Sequence, residues 1–458
     1  MSKITLKNTE DRIANLAPTK IIVLSFAALI AIGSILLSLP VAARSGQSTN
    51  YLDALFTATS AVCVTGLVVY DTYNYWSAFG QIVILLLIQC GGLGIATLAT
   101  FFSTILGRKV GLKGMLLAQE SINFFSFEGV LTLIRRVVAV TFVLEFFGTL
   151  MLSIRFIPMF GVKGIYISLF HAVSAFCNAG FDLMGILGKG DFVSLTYFNN
   201  DPLVIYTVSF LIIVGGLGFL VWKDLYEFSK TKSLYLHTKV VLVVTAFLIV
   251  TGALFFYAFE NNNPETMGNL DFWGKINASI FQAITPRTAG FNTISIGDMK
   301  EVSKVATIFF MFVGAAPGST AGGIKVTTIG VLIFAIMSQI HGREETVIFK
   351  RKVPQYTVNK ALSIAGLAMF LIFTSTTVIL AFENLPFINV LYEATSAFGT
   401  VGLSTGITPI LSPISRFILI ITMFAGRVGP LTFAIALTLR AHKRKQDVVY
   451  PEGKIVVG

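Results

Sequence analysis

The chain has 458 residues, 55% of them hydrophobic and only 12% charged, with a formal net charge of +11 and a mean hydropathy of +0.80. Soluble domains carry about 25% charged residues, so a soluble enzyme is a poor fit and a bilayer is the expected solvent. The charge is also placed unevenly: 23 of the 34 Lys and Arg, with 10 of the 23 acids, fall in the N-terminus, 107–136, 223–239, 341–360 and the C-terminal stretch from Arg440 on. That pattern points to membrane topology and not to nucleic acid.

In chain order, residues 1–20 read as a cytoplasmic N-terminus. The apolar run 21–40 follows charged residues as a signal peptide would, but it is too long for an h-region and lacks a small-residue cleavage site. It reads as a retained first span. The runs 79–106, 130–157, 203–222, 238–259, 305–338, 361–382 and 414–439 are each about long enough to cross a bilayer as a helix, for eight spans in all. Cytoplasmic loops carry the excess of Lys and Arg, so the five basic segments, both termini included, are expected in the cytoplasm. An even number of spans agrees.

A pattern recurs between the spans. Residues 61–67 read AVCVTGL, 175–181 AFCNAGF, 285–291 TPRTAGF and 397–403 AFGTVGL. The shared glycines Gly66, Gly180, Gly290 and Gly402 are separated by 114, 110 and 112 residues. Before each comes a short apolar stretch with an aromatic near its start: LFTATSA, LFHAVSA, IFQAITP and LYEATSA. Each stretch is about 10 residues long, too short to span a bilayer and typical of a re-entrant segment.

Internal repeats are weighed before local motifs. The expected fold is an all-α polytopic membrane protein of four tandem span–pore-helix–span repeats, giving eight transmembrane helices around a central pore with pseudo-fourfold symmetry. The repeats run over 21–110, 111–233, 234–345 and 346–441, with a C-terminal tail over 442–458.

Non-helical backbone at membrane depth is tolerated only where protein buries it or a wet cavity borders it. Four such loops most economically surround one axis. Each half-helix would turn its C-terminal end, with about half a negative charge, toward that axis. Loop carbonyls would then replace a cation's hydration shell. The candidate ion-binding residues are Val64, Thr65 and Gly66; Asn178, Ala179 and Gly180; Thr288, Ala289 and Gly290; and Thr400, Val401 and Gly402. One glycine stretch would suit close helix packing equally well; four with matched half-helices point to a pore for a monovalent cation.

The run 303–340 exceeds one straight span and is interrupted by GAAPGSTAGGIKVTT at 314–328. Pro317 removes a helix hydrogen bond, and each glycine costs about 1 kcal/mol against alanine. A broken helix with an intramembrane gating loop is expected, carried by Gly314, Pro317, Gly318, Ser319, Thr320, Gly322, Gly323 and Lys325. Arg427, in AGRVGPLT, is a cation at membrane depth and a functional candidate by default. It is expected to donate to loop carbonyls, the alternative being an ion pair with Glu145. The glycine clusters at 91–94 and 215–219 read as sites of close helix approach. Arg287, in the third loop, is expected to point back to carbonyls or acids behind the filter.

The three cysteines, Cys63, Cys90 and Cys177, are odd in number and lack metal-ligand spacing, so buried small side chains are expected. The histidines are scattered, and no nucleophile or phosphate-loop motif is present. The chain is not expected to be an enzyme.

The four glycine-centred stretches, one per repeat, resemble the filter loops of the Trk/Ktr/HKT potassium transporter superfamily over nearly the whole chain. A glycine in all four loops is similar to its potassium-selective members, and the lack of an additional N-terminal pair of spans is nearer the Ktr branch than the TrkH branch. The resemblance implies a potassium-translocating subunit in a bacterial cell membrane, with potassium at the filter residues, sodium as a second ion on which uptake depends, and no covalently bound cofactor. It also implies a homodimer and a KtrA-like cytoplasmic ring of nucleotide-binding regulatory subunits on basic loops such as GREETVIFKRK. Those loops need no more than membrane lipid headgroups as partners. The readings that compete are a secondary cation symporter of the TrkH branch and a non-selective monovalent cation (sodium) transporter. An anion path conflicts with half-helix C-termini at the pore.

Overall fold

The computed structural model describes residues 18–106, 111, 114–117, 119 and 129–437. The expectations placed on 1–17, on most of 107–128 and on the tail lie outside those residues. The described chain is mostly helical. Helices α1 (Pro18–Ser38), α5 (Val130–Phe160), α9 (Leu236–Glu260) and α13 (Gln355–Phe382) are four helices long and apolar enough to cross a membrane. Their outward faces carry exposed Phe142, Phe146, Phe247, Leu254 and Phe370, as a lipid-facing surface requires.

Each long helix is followed by a short one: α2 (Tyr51–Val62), α6 (Lys163–Phe176), α10 (Phe272–Ile284) and α14 (Phe387–Gly399). With 12 to 14 residues they rise about 18–21 Å and cannot cross. Their starts are chemically marked, because Asn50 and Asp271 accept hydrogen bonds from the Leu52 and Gly274 amides as N-caps. The recurring aromatics Phe56, Phe170, Phe281 and Tyr392 are all fully buried, and they anchor these helices in the interior.

The return spans differ from the sequence expectation. The span expected over 79–106 is two helices, α3 (Ala78–Leu93) and α4 (Ile95–Ile105), bent by 92°, and the one over 203–222 is α7 (Pro202–Leu217) and α8 (Phe219–Thr231), bent by 93°. The breaks fall at Gly94 (φ 82°, ψ 132°) and Gly218 (φ 89°, ψ 146°). The last return span breaks the same way at Gly429 (φ 95°, ψ 134°), between α15 (Pro413–Val428) and α16 (Pro430–Leu437). That backbone region belongs essentially to glycine. The third return span is interrupted as expected, with residues 313–325 lying between α11 (Glu301–Phe312) and α12 (Val326–Ile340). The basic segment 341–360 holds a feature the sequence reading did not anticipate, a hairpin of β1 (Val347–Ile348) antiparallel to β2 (Arg351–Lys352).

The expected close approach is also present, three residues before each break. A Cβ added to Gly91, Gly215 or Gly426 would run into the carbonyl oxygen of Val62, Phe176 or Phe398, which sits four residues before the recurring glycine of its repeat. The return helices are thus pressed against the ends of the short helices. Gly215→Ala in α7 is expected to lower stability by about 1–3 kcal/mol, the usual cost of overpacking. Gly366→Ala in α13, where a new Cβ meets nothing within 4 Å, is expected to be neutral or to gain up to about 1 kcal/mol. Thermal unfolding of the detergent-purified protein measures both.

Candidate functional site

The segments after α2, α6, α10 and α14 meet one another. A Cβ on Gly66 would lie 2.5 Å from the Ala179 oxygen, one on Gly180 2.9 Å from Ala289, one on Gly290 2.5 Å from Val401, and one on Gly402 would overlap the Thr65 oxygen. These contacts run from each repeat to the next and return to the first, so the four glycines form a closed ring. All four have positive φ, from 71° to 91°. Two residues before each, Val64 (φ 50°), Asn178 (57°), Thr288 (72°) and Thr400 (50°) are also left-handed. Such a conformation costs a non-glycine residue of order 1–3 kcal/mol and persists only where the surroundings hold it.

The holding is done through the amides. Thr65 N donates to Ser60 O at 2.8 Å, Ala179 N to Ser174 O at 2.8 Å, Ala289 N to Thr285 O at 2.9 Å, and Val401 N to Ser396 O at 2.9 Å. In the first and fourth repeats the glycine amide is held too, with Gly66 N donating to Ser60 Oγ at 3.0 Å and Gly402 N to Ser396 Oγ at 3.1 Å. The carbonyls are treated oppositely. Among the described residues, none of the twelve carbonyls from Val64–Gly66, Asn178–Gly180, Thr288–Gly290 and Thr400–Gly402 accepts a hydrogen bond. Buried acceptors without a donor are rare in proteins. Above the ring a cavity of about 490 Å³ has Gly66, Gly180, Gly290 and Gly402 in its lining, with Asp71 and Ser404.

Side-chain support is partial. Asn178 and Thr288 touch at 3.3 Å, and Thr400 Oγ1 accepts from Gly322 N at 3.1 Å. Cys63 and Cys177 are buried and, like Cys90, free of disulfides. Arg287 points away from the ring, as expected, but its partner is neither a carbonyl nor an acid: Nη2 donates to Thr245 Oγ1 on α9 at 3.1 Å. Ser60 and Ser396 are residues of the ring's support that the sequence reading passed over, although serine recurs six residues before Gly66, Gly180 and Gly402.

The segment 313–325 lies against the ring's other side. Gly322 has no room for a Cβ beside Thr400. Thr320 Oγ1 donates to Phe176 O or Gly215 O (3.1 and 3.2 Å), Ala316 N to Gly216 O (3.0 Å), and Gly323 N to Gly426 O (3.2 Å). Phe219 N, just past the Gly218 break, donates back to Gly318 O at 2.8 Å. Arg427 donates through Nη1 to Thr320 O and through Nη2 to Gly91 O and Gly92 O. Lys325 Nζ folds back onto Ala321 O (2.7 Å) and Gly322 O (3.1 Å). The alternative Arg427–Glu145 pair does not form; Glu145 accepts instead from Gln89 Nε2 at 3.3 Å. Beyond the segment opens a second cavity of about 880 Å³, lined among others by Pro317, Gly323 and Lys325. The ring and the segment therefore stand between two cavities.

Of the expected site residues, the structure brings together all twelve around the ring, and Gly314 through Lys325 with Arg427 on one side of it. Ser319 takes part only within the segment, accepting from Ala321 N at 3.4 Å. Gly314 N closes the base of the segment on Ile324 O at 2.8 Å.

Comparison with known proteins places this geometry. Residues 2–447 match the family model described as TrkH, cation transport protein. The chain is 40% identical to Ktr system potassium uptake protein B of Bacillus subtilis, over 96% of this chain and 97% of that one. It is 38% identical to potassium/sodium uptake protein NtpJ of Enterococcus hirae, over 97% and 98%. Its fold resembles the crystal structure of the potassium transporter TrkH from Vibrio parahaemolyticus, with a TM-score of 0.70 at 17% identity, covering 93% of this chain and 86% of that one.

Thr320→Val removes the hydroxyl that seats the segment on α6 and α7. At roughly 1 kcal/mol for a hydrogen bond, amide exchange within 313–325 is expected to accelerate about fivefold, with no change in α10. Hydrogen–deuterium exchange read by mass spectrometry measures it.

Proposed function

Since the chain belongs to the TrkH family of cation transport proteins, we propose that it is the potassium-translocating membrane subunit of a bacterial potassium uptake system, with the glycine ring as its selectivity filter. The observation that carries the reading is the set of twelve donor-free carbonyls around a closed ring. A monovalent cation that has shed its water is the partner such oxygens lack. The short helices end beside the ring with their negative poles, so their field favours a cation and opposes an anion. The repeated order of long helix, short helix, loop and return helix supports an eight-span architecture with pseudo-fourfold symmetry about that ring.

The path runs from the 490 Å³ cavity through the ring and meets the segment 313–325. We assign this segment the role of gate, with Arg427 as its latch: the guanidinium ties Thr320 O of the segment to Gly91 O and Gly92 O of α3. Opening requires those bonds to be exchanged for water or other partners. The arrangement favours this reading over a symporter with a midplane cluster of ionisable groups, because Lys325 and Arg427 are engaged by carbonyls and Glu145 by an amide.

The relatives' names supply the rest of the proposal. A protein designated B of a Ktr system works with other subunits, so a regulatory partner on the basic face, of the nucleotide-binding kind, is proposed here, together with a homodimer. A potassium/sodium uptake protein among the relatives supports sodium as a second transported or coupling ion in this proposal. Location in a bacterial cell membrane, suggested by the bacterial relatives, and both termini in the cytoplasm, supported by the placement of the basic segments, complete the proposal.

Rubidium and sodium uptake into proteoliposomes tests filter and gate together. Gly290→Ser is expected to reduce discrimination of rubidium over sodium by at least about tenfold, or about 1.4 kcal/mol. Arg427→Ala is expected to raise uptake in the absence of any regulatory subunit. Unchanged discrimination in the first would remove the ring from the ion path, and unchanged uptake in the second would remove the latch.

A further inference from the structure

Above the ring, the seam between the fourth and first repeats is closed by an ion pair. Asp53, in the first turn of α2, is 5% exposed and receives two donors. Arg416 Nη1, from the first turn of α15, reaches its Oδ1 at 2.6 Å, and the phenol of Tyr70 donates to its Oδ2 at 2.8 Å. Tyr70 lies four residues past Gly66 and is stacked on Tyr75 with ring centroids 4.0 Å apart. Arg416 spends its other arm on the fourth repeat, where Nη2 donates to Pro409 O at 2.8 Å. The segment holding Pro409 is also tied to its own short helix. Glu393 of α14, fully buried, accepts through Oε1 from Ser404 Oγ at 2.6 Å and from Thr408 Oγ1.

These contacts form one chain of bonds. It runs from Tyr70 through Asp53 and Arg416 to Pro409, and by way of the 404–408 turn to Glu393. It joins the segments that leave Gly66 and Gly402, the pair of ring glycines in which a Cβ on one overlaps the oxygen preceding the other. The seam between the first and second repeats is tied by Asn74 Nδ2 to Asp191 Oδ1 at 2.7 Å and Phe192 N to Asp71 Oδ2 at 3.0 Å, and that between the second and third by Asn199 Nδ2 to Thr293 O at 2.8 Å; these ties are as short, but none of them is an ion pair. An ion pair with 8% and 17% side-chain exposure is poorly screened, and the guanidinium fork fixes direction as well as distance. The seam between the fourth and first repeats is thus tied by charge, where the first–second and second–third seams are tied by neutral donors.

We propose that Asp53, Arg416, Tyr70 and Glu393 are specificity-determining positioning residues: they hold the outer ends of the first and fourth loops at a fixed spacing, so that the ring keeps a width suited to potassium and does not adjust to sodium. This rests on the reading of the ring as the filter. None of the four need touch the ion. A residue that only helped the chain to fold would change the amount of protein recovered and leave the ratio of ions transported alone.

The experiment compares sodium with rubidium uptake in proteoliposomes carrying equal amounts of wild type, Arg416→Lys, Tyr70→Phe, the double variant and Gly402→Ser. Arg416→Lys keeps the charge but cannot bond Asp53 and Pro409 through one planar fork. Its sodium-to-rubidium ratio is expected to rise about tenfold, with a smaller rise in the same direction for Tyr70→Phe. The double variant should show less than the product of the two effects, because both act through Asp53. If Arg416→Lys does not purify as a monodisperse protein, Tyr70→Phe, which loses a single oxygen, decides alone. Wild-type ratios in the truss variants with an altered ratio in Gly402→Ser would overturn this proposal and leave the filter reading standing. Wild-type ratios in all of them would overturn both.

Discussion

A backbone polar group inside a bilayer must find a partner within the protein or along a wet cavity, and the central part of this molecule is organised by that requirement. At the ring the amides are paired inward, to the ends of the short helices, while the carbonyls stay bare. The left-handed residues at 64, 178, 288 and 400 make this division possible, since turning φ positive changes which side of the chain the neighbouring carbonyls face. An acceptor buried without a donor costs about 1–3 kcal/mol, and the twelve carbonyls here have no protein donor. The expense is tolerated because the surroundings are rigid: the short helices carry fully buried aromatics, and α3, α7 and α15 press on their ends through Gly91, Gly215 and Gly426. A cation that arrives without its water then finds oxygens already in place.

The segment 313–325 obeys the same requirement in the opposite way. Its hydrogen bonds go mostly to partners on α6, α7, α8 and α15 and to Thr400 just past α14, and not to regular structure of its own. Each bond is worth about 1 kcal/mol net, so the segment is held by many small, separable contacts and one guanidinium. Broken return helices are what make those contacts available. Breaking α7 from α8 at Gly218 leaves the last carbonyls of α7 without helical donors, and Ala316 N and Thr320 fill them. The equivalent carbonyls of α3 take Arg427. Ring and segment therefore differ in mechanical character: the ring is closed on itself with its carbonyls bare, while the segment hangs on separable bonds to its neighbours.

Much of this was legible in the sequence. Four glycines at a spacing near 112 residues, each behind a short apolar stretch with an early aromatic, required four re-entrant elements whatever their arrangement. Pro317 among glycines in an overlong apolar run required a break there. The breaks at Gly94 and Gly218 were not legible, because hydropathy continues through them and GGLG serves helix contact and helix termination equally well; both uses turned out to be present. The Asp53–Arg416 pair was out of reach for another reason. Its members stand 363 residues apart, and nothing in either neighbourhood names the other until the fourth repeat closes on the first. Arg427 was recognisable as a buried cation needing carbonyls, but that some of those carbonyls would belong to the first repeat depended on the same closure.

The central claim is that the four loops bind the transported ion through their backbone oxygens. Crystals of the protein grown in rubidium salts, with data collected at the rubidium absorption edge, test it most directly. The account requires anomalous density on the axis of Gly66, Gly180, Gly290 and Gly402, within coordination distance of the carbonyls of residues 64–66, 178–180, 288–290 and 400–402, which potassium displaces on exchange. Density confined to the cavities or to side-chain carboxylates, with the ring empty at saturating rubidium, would contradict it.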